Sequence, residues 1–185
     1  MTNGLVVMTP SSIAYSGTSA SINANGSVAF SACTSLSLNG VFTSDYDNYM
    51  IVNHRNASGN MQVRMRLRSS GTDNATVGAY THQLLDASST TVSAGRFVSD
   101  FGDNFQFGSG YLNNRQTTTC YIFGPYLSQP TACRTVNVDG FDSSNTFFRD
   151  FAQTHNQSSS YDGVTLFSNN TSSVTGLLTV FGFNQ

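Results

Sequence analysis

The clearest pattern in the chain is a strict alternation of apolar and polar residues over positions 61–68. Met61, Val63, Met65 and Leu67 are apolar, and Gln62, Arg64, Arg66 and Arg68 are polar. Successive side chains of a strand point to opposite faces, so a period of two predicts a strand with one face in a core and one polar face. Turn-forming residues bound the segment at Asn60 and over 69–74.

Further segments of strand composition recur between clusters of Gly, Asn, Asp and Ser. Such spacing predicts a β-sandwich or barrel. The tight turns are predicted at Asn25-Gly26, Asn39-Gly40, Asp139-Gly140 and Asp162-Gly163, the first with the sequence of a type I′ hairpin. A single helical piece is predicted over 145–153. The additional predicted strands are 5–8, 19–22, 27–32, 49–54, 79–85, 118–123, 136–138, 163–167 and 176–181.

Composition strengthens the β prediction. The 185 residues include no Lys, Glu or Trp, whereas Ser, Thr, Asn and Gly fill 82 positions. Lys and Glu are strong helix formers, and Ser, Thr and Asn favour turns and strand surfaces instead. We therefore expect an all-β fold, a single antiparallel β-sandwich of jelly-roll type with little helix. Residues 1–12 are expected to form an edge strand or arm, and residues 13–185 the sandwich domain.

Charge excludes several kinds of partner. All eight basic residues are Arg, all ten acidic residues are Asp, and the net charge is −2. This balance predicts no broad attraction to nucleic acid. No apolar run approaches the roughly 20 residues that cross a bilayer, so membrane insertion is not expected. Residues 1–8 lack a basic region, so a signal peptide is not expected either.

The reagents of common enzymes are poorly represented. Most Asp residues stand beside Asn, Gly or Ser, a context typical of turns. Ser is abundant, but no nucleophile elbow of the G-x-S-x-G type occurs. His54, His82 and His155 do not have the spacing of a zinc site. We therefore expect no enzymatic activity, and the sequence assigns no catalytic residue, cofactor or metal ligand.

Two other groups of residues leave alternatives open. The Asp-rich runs 45–48 and 139–145 collect oxygen ligands that calcium accepts, but neither ends in the Glu of an EF-hand, so turns capped by Asx side chains are favoured. Cys33, Cys120 and Cys133 are expected to be small buried residues. A bridge between Cys120 and Cys133 is the alternative.

Arg64, Arg66 and Arg68 form the one basic stripe in the sequence. Three Arg residues without interleaved aromatic residues make a small patch. We therefore favour a solvated strand face, or a subunit contact that faces Asp. Binding of an acidic glycan or a phosphate backbone is the alternative.

Several short stretches together resemble a known group of proteins. They are Leu-Ser-Leu-Asn-Gly-Val-Phe at 36–42, Asp-Tyr-Asp-Asn-Tyr at 45–49, Arg-Leu-Arg-Ser-Ser-Gly-Thr-Asp at 66–73, Gly-Pro-Tyr-Leu-Ser-Gln-Pro-Thr-Ala at 124–132, Ser-Tyr-Asp-Gly at 160–163 and Gly-Leu-Leu-Thr-Val-Phe-Gly at 176–182. In this order they resemble structural proteins of tailed-bacteriophage virions with β-sandwich domains. Cys133 departs from the pattern, where an aromatic residue is expected.

The resemblance implies a non-enzymatic protein on the virion surface, made in the host bacterial cytoplasm. Its first expected role is capsid decoration or head fibre. The alternative is a receptor-binding adhesin domain of a tail or tail fibre, which contacts host surface glycan through aromatic-rich loops such as 97–111. Expected partners are other virion proteins and further copies of the chain, with a trimer favoured. The resemblance carries no catalytic residues and no cofactor.

Overall fold

Sixteen strands, and no helix, make up the part of the chain that the computed structural model describes, residues 4–88, 90–97, 102–112, 115–140 and 146–184. None of these residues belongs to a helix that could cross a membrane. The strands are β1 Val6–Val7, β2 Ser12–Ser16, β3 Ser19–Ile22, β4 Val28–Cys33, β5 Ser35–Asn39, β6 Asn48–Ala57, β7 Met61–Ser69, β8 Thr72–Asp73, β9 Tyr80–Ser88, β10 Thr91–Phe97, β11 Phe105–Gly110, β12 Arg115–Phe123, β13 Thr131–Gly140, β14 Thr146–His155, β15 Gly163–Ser168 and β16 Val174–Phe183.

The strands form two antiparallel sheets that pack as a sandwich, as the composition predicts. The large sheet has the order β10-β9-β14-β13-β12-β6-β16-β4-β3, and β1 also pairs with β16. The small sheet has the order β11-β7-β15-β5-β2, and β8 also pairs with β7. The large sheet is wider, so its strands β9 and β10 extend beyond the small sheet. β11, the edge strand of the small sheet, contacts β9, β12, β13 and β14 of the large sheet.

The alternating segment forms β7 and confirms the predicted faces. Met61, Val63, Met65 and Leu67 are all buried. Met65 lies opposite Phe105 of β11 and Leu166 of β15, so it is covered from both sides as well as by the large sheet. The apolar positions of β7 therefore belong to the core, because burial of their area from water stabilises the fold.

The apolar core fills only part of the space between the sheets. Tyr49 and Ile51 of β6 and Val180 of β16 are fully buried members of it. Further along β6, the inward positions change to Asn53 and Arg55, which are also buried. The strand that carries the core in one half of the sandwich thus carries polar residues in the other half.

The predicted helix over 145–153 is wrong. Thr146–His155 is β14, which pairs along its length with β13 on one side and β9 on the other. Asn145 itself lies outside the described residues. Strand pairing on both sides outweighs the weak local preference of the segment, because tertiary context commonly overrides propensity.

Two predicted turns need correction. Asp139-Gly140 is the end of β13 and not a turn, with Asp139 opposite Phe147 of β14. Asn25-Gly26 lies between β3 and β4 as predicted, but the loop is longer than a two-residue hairpin and only Gly26 has a positive φ, of 84°. Here the Asn25 carboxamide oxygen accepts a hydrogen bond from the Ser27 N–H at 3.1 Å, which forms an Asx turn.

Candidate ligand-binding cleft

A row of polar side chains crosses the inner face of the large sheet. Asn53 of β6, Thr118 of β12, Asn137 of β13, Arg149 of β14 and Asp86 of β9 are direct cross-strand neighbours in that order. Cross-strand neighbours point to the same face of a sheet. Register therefore brings together five polar residues that lie far apart in the sequence, and we call them the polar row.

Arg55 lies beside this row and is 2% exposed. Its guanidinium donates hydrogen bonds to Asn53 Oδ1 at 2.9 Å, to Thr118 Oγ1 at 2.7 Å and to the Ser109 carbonyl at 2.7 Å. Burial lowers the pKa of Arg55 to about 10, and the charge of Asp139 opposes that effect. The guanidinium therefore stays charged at neutral pH, and the three acceptors offset part of the cost of its desolvation.

Glycine at position 108 makes this arrangement possible. A Cβ added to Gly108 would stand 2.5 Å from Nη2 of Arg55 and 2.9 Å from Nδ2 of Asn137. Any larger residue would displace the guanidinium or the amide. The absent side chain thus lets β11 lie directly on the polar row.

Asp139 is fully buried at the end of β13. Its Oδ2 accepts hydrogen bonds from the Ser109 hydroxyl and, at 3.0 Å, from Nη1 of Arg149. Burial raises the pKa of the Asp139 carboxyl, whereas the Ser109 hydrogen bond and the charges of Arg55 and Arg149 lower it. Asp139 was predicted to shape a turn, and instead it anchors a strand end to β11.

Arg149 joins two carboxylates. Besides Asp139, its Nε lies 3.3 Å from Oδ2 of Asp86. Its Nη2 lies 3.4 Å from the Tyr111 hydroxyl, and its guanidinium stands over the Phe147 ring at 5.1 Å. A single guanidinium therefore holds the side chains of Asp86 and Asp139 in place.

The polar row ends in an open cleft of about 460 Å³, within the size range of small-molecule sites. The cleft lies where β9 and β14 extend past β11. Its walls are formed by β9, β11, β14, the start of β7 and the loop that follows β15. The lining residues are Asn60, Met61, Gln62, His82, Leu84, Asp86, Gln106, Gly108, Ser109, Tyr111, Arg149, Phe151, Asn169 and Asn170.

Two features of the cleft favour a ligand with hydroxyl groups. Gln106 is 5% exposed, and its Oε1 has no hydrogen-bond partner among the described residues. Oδ1 of Asp86 is also buried and has no hydrogen-bond partner among the described residues. The Tyr111 ring stacks on Phe147 with centroids 5.3 Å apart and planes 15° from parallel, which makes a flat aromatic surface. Buried acceptors without a donor are costly unless one is supplied.

The segment 97–111, predicted as an aromatic-rich loop, contains the end of β10 and the whole of β11. Residues 98–101 lie outside the described residues. Phe105 and Phe107 are fully buried in β11 and face no solvent. Tyr111 is the aromatic residue of this segment that lines the cleft.

The Arg stripe is engaged within the chain. Arg66 pairs with Asp103 and stands over the Phe167 ring at 4.6 Å. Arg68 is buried and pairs with Asp73 at 2.8 Å. The predicted Asp partners therefore exist, but they belong to the same chain. Arg68 departs from the expected solvated face because its guanidinium donates to Asp73, to Thr165 and to the Gly71 carbonyl.

The other candidate ligands do not assemble. No group of three or more His, Cys or Asp side chains suited to a metal occurs among the described residues. The 45–48 run forms a turn in which Asp45 bonds to Thr43, and Asn184 bonds to the backbone of Asp45 and Asp47. All three cysteines are free and buried. The sulfur atoms of Cys120 and Cys133 lie 3.4 Å apart without a bridge.

Buried histidines predict a loss of stability in acid. His155 is fully buried between the rings of Tyr80 and Tyr161, and burial lowers its pKa to about 4. In an unfolded chain a histidine binds its proton near pH 6.5. A depressed pKa in the folded state contributes stability that is present above pH 6.5 and is lost as the pH falls toward 4.

We expect His155 alone to lower the free energy of unfolding by about 2 kcal/mol between pH 7 and pH 5. His82, whose pKa burial also lowers to about 4, adds a contribution of the same sign. Urea denaturation at the two pH values measures this. The variant His54→Gln, altered at an exposed position, should keep the pH dependence. Equal stability of the wild type at pH 7 and pH 5 would contradict the prediction.

No family model matches the chain, and no curated protein matches it. One solved structure that matches is the crystal structure of SCLam, a non-specific endo-beta-1,3(4)-glucanase from family GH16, with 7% identity and a TM-score of 0.19. The match covers 79% of this chain and 62% of the glucanase chain. This chain therefore spans less than two thirds of the length of the glucanase chain. A likeness this weak carries no conclusion about activity.

Proposed function

We propose that this chain is a non-enzymatic structural protein on the surface of a bacteriophage virion, a capsid decoration or head-fibre protein. It would be made in the host bacterial cytoplasm and assemble with other virion proteins and with copies of itself, a trimer being favoured. The sequence resemblance supports the virion role. The observation that carries the assembly role is an exposed apolar area on the outer face of the large sheet.

The outer apolar face consists of Leu85, Val92, Val138 and Phe148, which are 53%, 73%, 41% and 42% exposed. Val138 lies opposite Phe148, Phe148 opposite Ala87, and Ala87 opposite Val92. They therefore form one continuous row across β13, β14, β9 and β10, with Leu85 beside it. Contiguous apolar surface of this kind marks protein contacts more often than scattered residues do.

The interior supports a structural role. The carboxylates of Asp86 and Asp139 share the guanidinium of Arg149, and Arg55 is held by three acceptors. Such a network makes the sandwich rigid, because each charged group requires its partners to stay in place. A protein that is present in many copies on a particle benefits from a rigid fold and from a surface, such as the outer apolar face, that contacts neighbouring subunits.

We expect Val92→Asp to weaken self-association at least tenfold, because a charge on the outer apolar face must be desolvated in the contact. Val77→Asp is the matched control, since Val77 is 82% exposed on a loop away from that face. Sedimentation equilibrium of wild type and both variants measures the association constant. If Val92→Asp and Val77→Asp associate equally, the outer apolar face is not the contact.

Copy number tests the virion role directly. Quantitative mass spectrometry of purified particles of the phage that encodes the chain should find it in hundreds of copies if it decorates the capsid. A small multiple of three or six would place it on the tail instead, because tail parts follow the low symmetry of that organelle. Absence of the chain from the particles would refute the proposal.

The cleft favours a second candidate function, the receptor-binding adhesin domain of a tail or tail fibre. Its open volume, its aromatic surface at Tyr111 and the unpartnered acceptors of Gln106 and Asp86 suit contact with a host surface glycan. A structural subunit needs no such cleft. The copy number described above separates the two candidates.

A further inference from the structure

We propose that the cleft binds one or two units of a neutral saccharide. Sugar binding here deepens the host-attachment function proposed above, and it assigns the ligand to the space between β9, β11 and β14. Three properties of the cleft support sugar binding: its hydrogen-bonding groups without partners, its aromatic surface and its charge.

Two buried groups without partners among the described residues are acceptors. They are Oε1 of Gln106 and Oδ1 of Asp86, and both residues line the cleft. A ligand that satisfies them must donate hydrogen bonds, as a sugar hydroxyl does. Both oxygens are buried in the protein alone. Rotation about the terminal torsion of the side chain, which is broad for carboxylates and carboxamides, turns them toward a ligand.

The backbone around Gln106 holds that side chain in position. Gln153 of β14 accepts a hydrogen bond from the Gln106 N–H at 2.7 Å and donates one to its carbonyl at 2.9 Å. This pair of bonds fixes β11 against the large sheet. The Gln106 side chain is therefore presented from a rigid strand, which is what a specific binding site requires.

Charge selects against anions. The cleft carries the carboxylate of Asp86, and the Arg149 guanidinium is occupied by Asp86 and Asp139. A phosphate, a sulfate or an acidic sugar would bring further acceptors to a site in which Oε1 of Gln106 and Oδ1 of Asp86 already lack donors. A neutral polyhydroxyl ligand meets no such opposition, because each hydroxyl both donates and accepts.

The aromatic surface suits a sugar ring. Tyr111 stacks on Phe147, so its ring orientation is fixed by a neighbour as well as by the contact between its hydroxyl and Arg149. Sites for small ligands combine such apolar surface with a few placed polar groups. The amides of Asn169 and Asn170 extend the polar rim on the opposite wall.

The test is an NMR titration of the isotope-labelled protein with five neutral sugars: glucose, galactose, mannose, rhamnose and N-acetylglucosamine. We expect at least one of them, at tens of millimolar, to shift the amide signals of Gln106, Ser109 and Tyr111, and inorganic phosphate to leave them unchanged. If none of the five sugars shifts these signals, or if phosphate alone does, the proposal is wrong.

A matched pair of variants locates the binding. Tyr111→Ser should weaken the responding sugar about tenfold, equivalent to the loss of one good contact. Tyr121→Ser, which changes an exposed tyrosine on the outer face of β12, should not weaken it. Both variants should remain folded, and Tyr111→Ser should have a slightly lower thermal transition because it loses the stacking on Phe147. Equal affinity of the two variants would place the sugar elsewhere and overturn the assignment.

Two further readouts separate this proposal from the functions proposed above. Release of reducing ends from bacterial polysaccharide by the purified protein, lost in Asp86→Asn, would show that the cleft is catalytic and not a binding site. Sugar binding by a chain that mass spectrometry does not find in virions would preserve the cleft assignment while refuting the virion role. If virions contain the chain but no sugar shifts its amide signals, the virion role stands and the cleft assignment is refuted.

Discussion

Met65→Asp is expected to abolish folding. Met65 is fully buried in β7, where Phe105 and Leu166 are its cross-strand neighbours. An aspartate there would be an unpaired charge in an apolar region, at a cost of several kcal/mol. That is comparable with the whole stability of a typical domain, about 5–15 kcal/mol. Far-UV circular dichroism of the purified variant should show loss of the β spectrum.

The neighbouring position supplies the control. Arg66→Ser removes the pair with Asp103 and the contact with Phe167, both on the partly exposed face of β7. Pairs of this kind contribute about 1 kcal/mol or less. We therefore expect a folded protein with a slightly lower thermal transition. An unfolded Arg66→Ser beside a stable Met65→Asp would mean that the two faces of β7 are reversed.

Arg55→Leu is expected to lower the free energy of unfolding by roughly 3–5 kcal/mol. The change removes a donor from Asn53, Thr118 and the Ser109 carbonyl, all of them in the interior. Of these, Thr118 keeps the hydrogen bond that Asn137 donates. Each acceptor left without a partner costs about 1–3 kcal/mol. Leucine also leaves a cavity beneath Gly108. These losses exceed what is regained by no longer burying the charge.

Urea denaturation at pH 7 measures the effect of Arg55→Leu. Arg134→Leu is the control, because Arg134 pairs with Asp150 on the outer face and its side chain is 60% exposed. We expect it to change stability by less than about 1 kcal/mol. An Arg55→Leu protein as stable as wild type would mean that the polar row does not depend on this guanidinium.

The sequence predicts this fold better than it predicts this site. β7 could be located from its sequence because a period of two is a local property, and the missing Lys and Glu indicated the fold class. β14 was mistaken for a helix because what holds it in place is pairing with β13 and β9, which no local pattern reports.

The polar row is even harder to predict from the sequence than β14. Asn53, Arg149 and Asp86 come from strands that are remote in the sequence and become neighbours through the sheet register. A one-residue slip of any strand would turn its side chain to the other face. One signal for the polar row was present in the sequence of β6. After Tyr49 and Ile51, the next positions on the same face are Asn53 and Arg55, whereas a strand that faces an apolar core ordinarily continues with apolar residues.

The strand order also has a consequence for how the chain reaches its native state. β16 is the last strand of the described residues, yet it lies between β6 and β4 in the large sheet. As the ribosome delivers the chain, the β3–β4 hairpin cannot join the sheet that contains β6 until β16 has emerged. Pairing between distant segments slows folding and leaves strand edges exposed meanwhile. The small sheet has the same arrangement, because the late strand β15 lies between β7 and β5. Synthesis should therefore produce an unfinished intermediate whose two sheets close only when β15 and β16 are available.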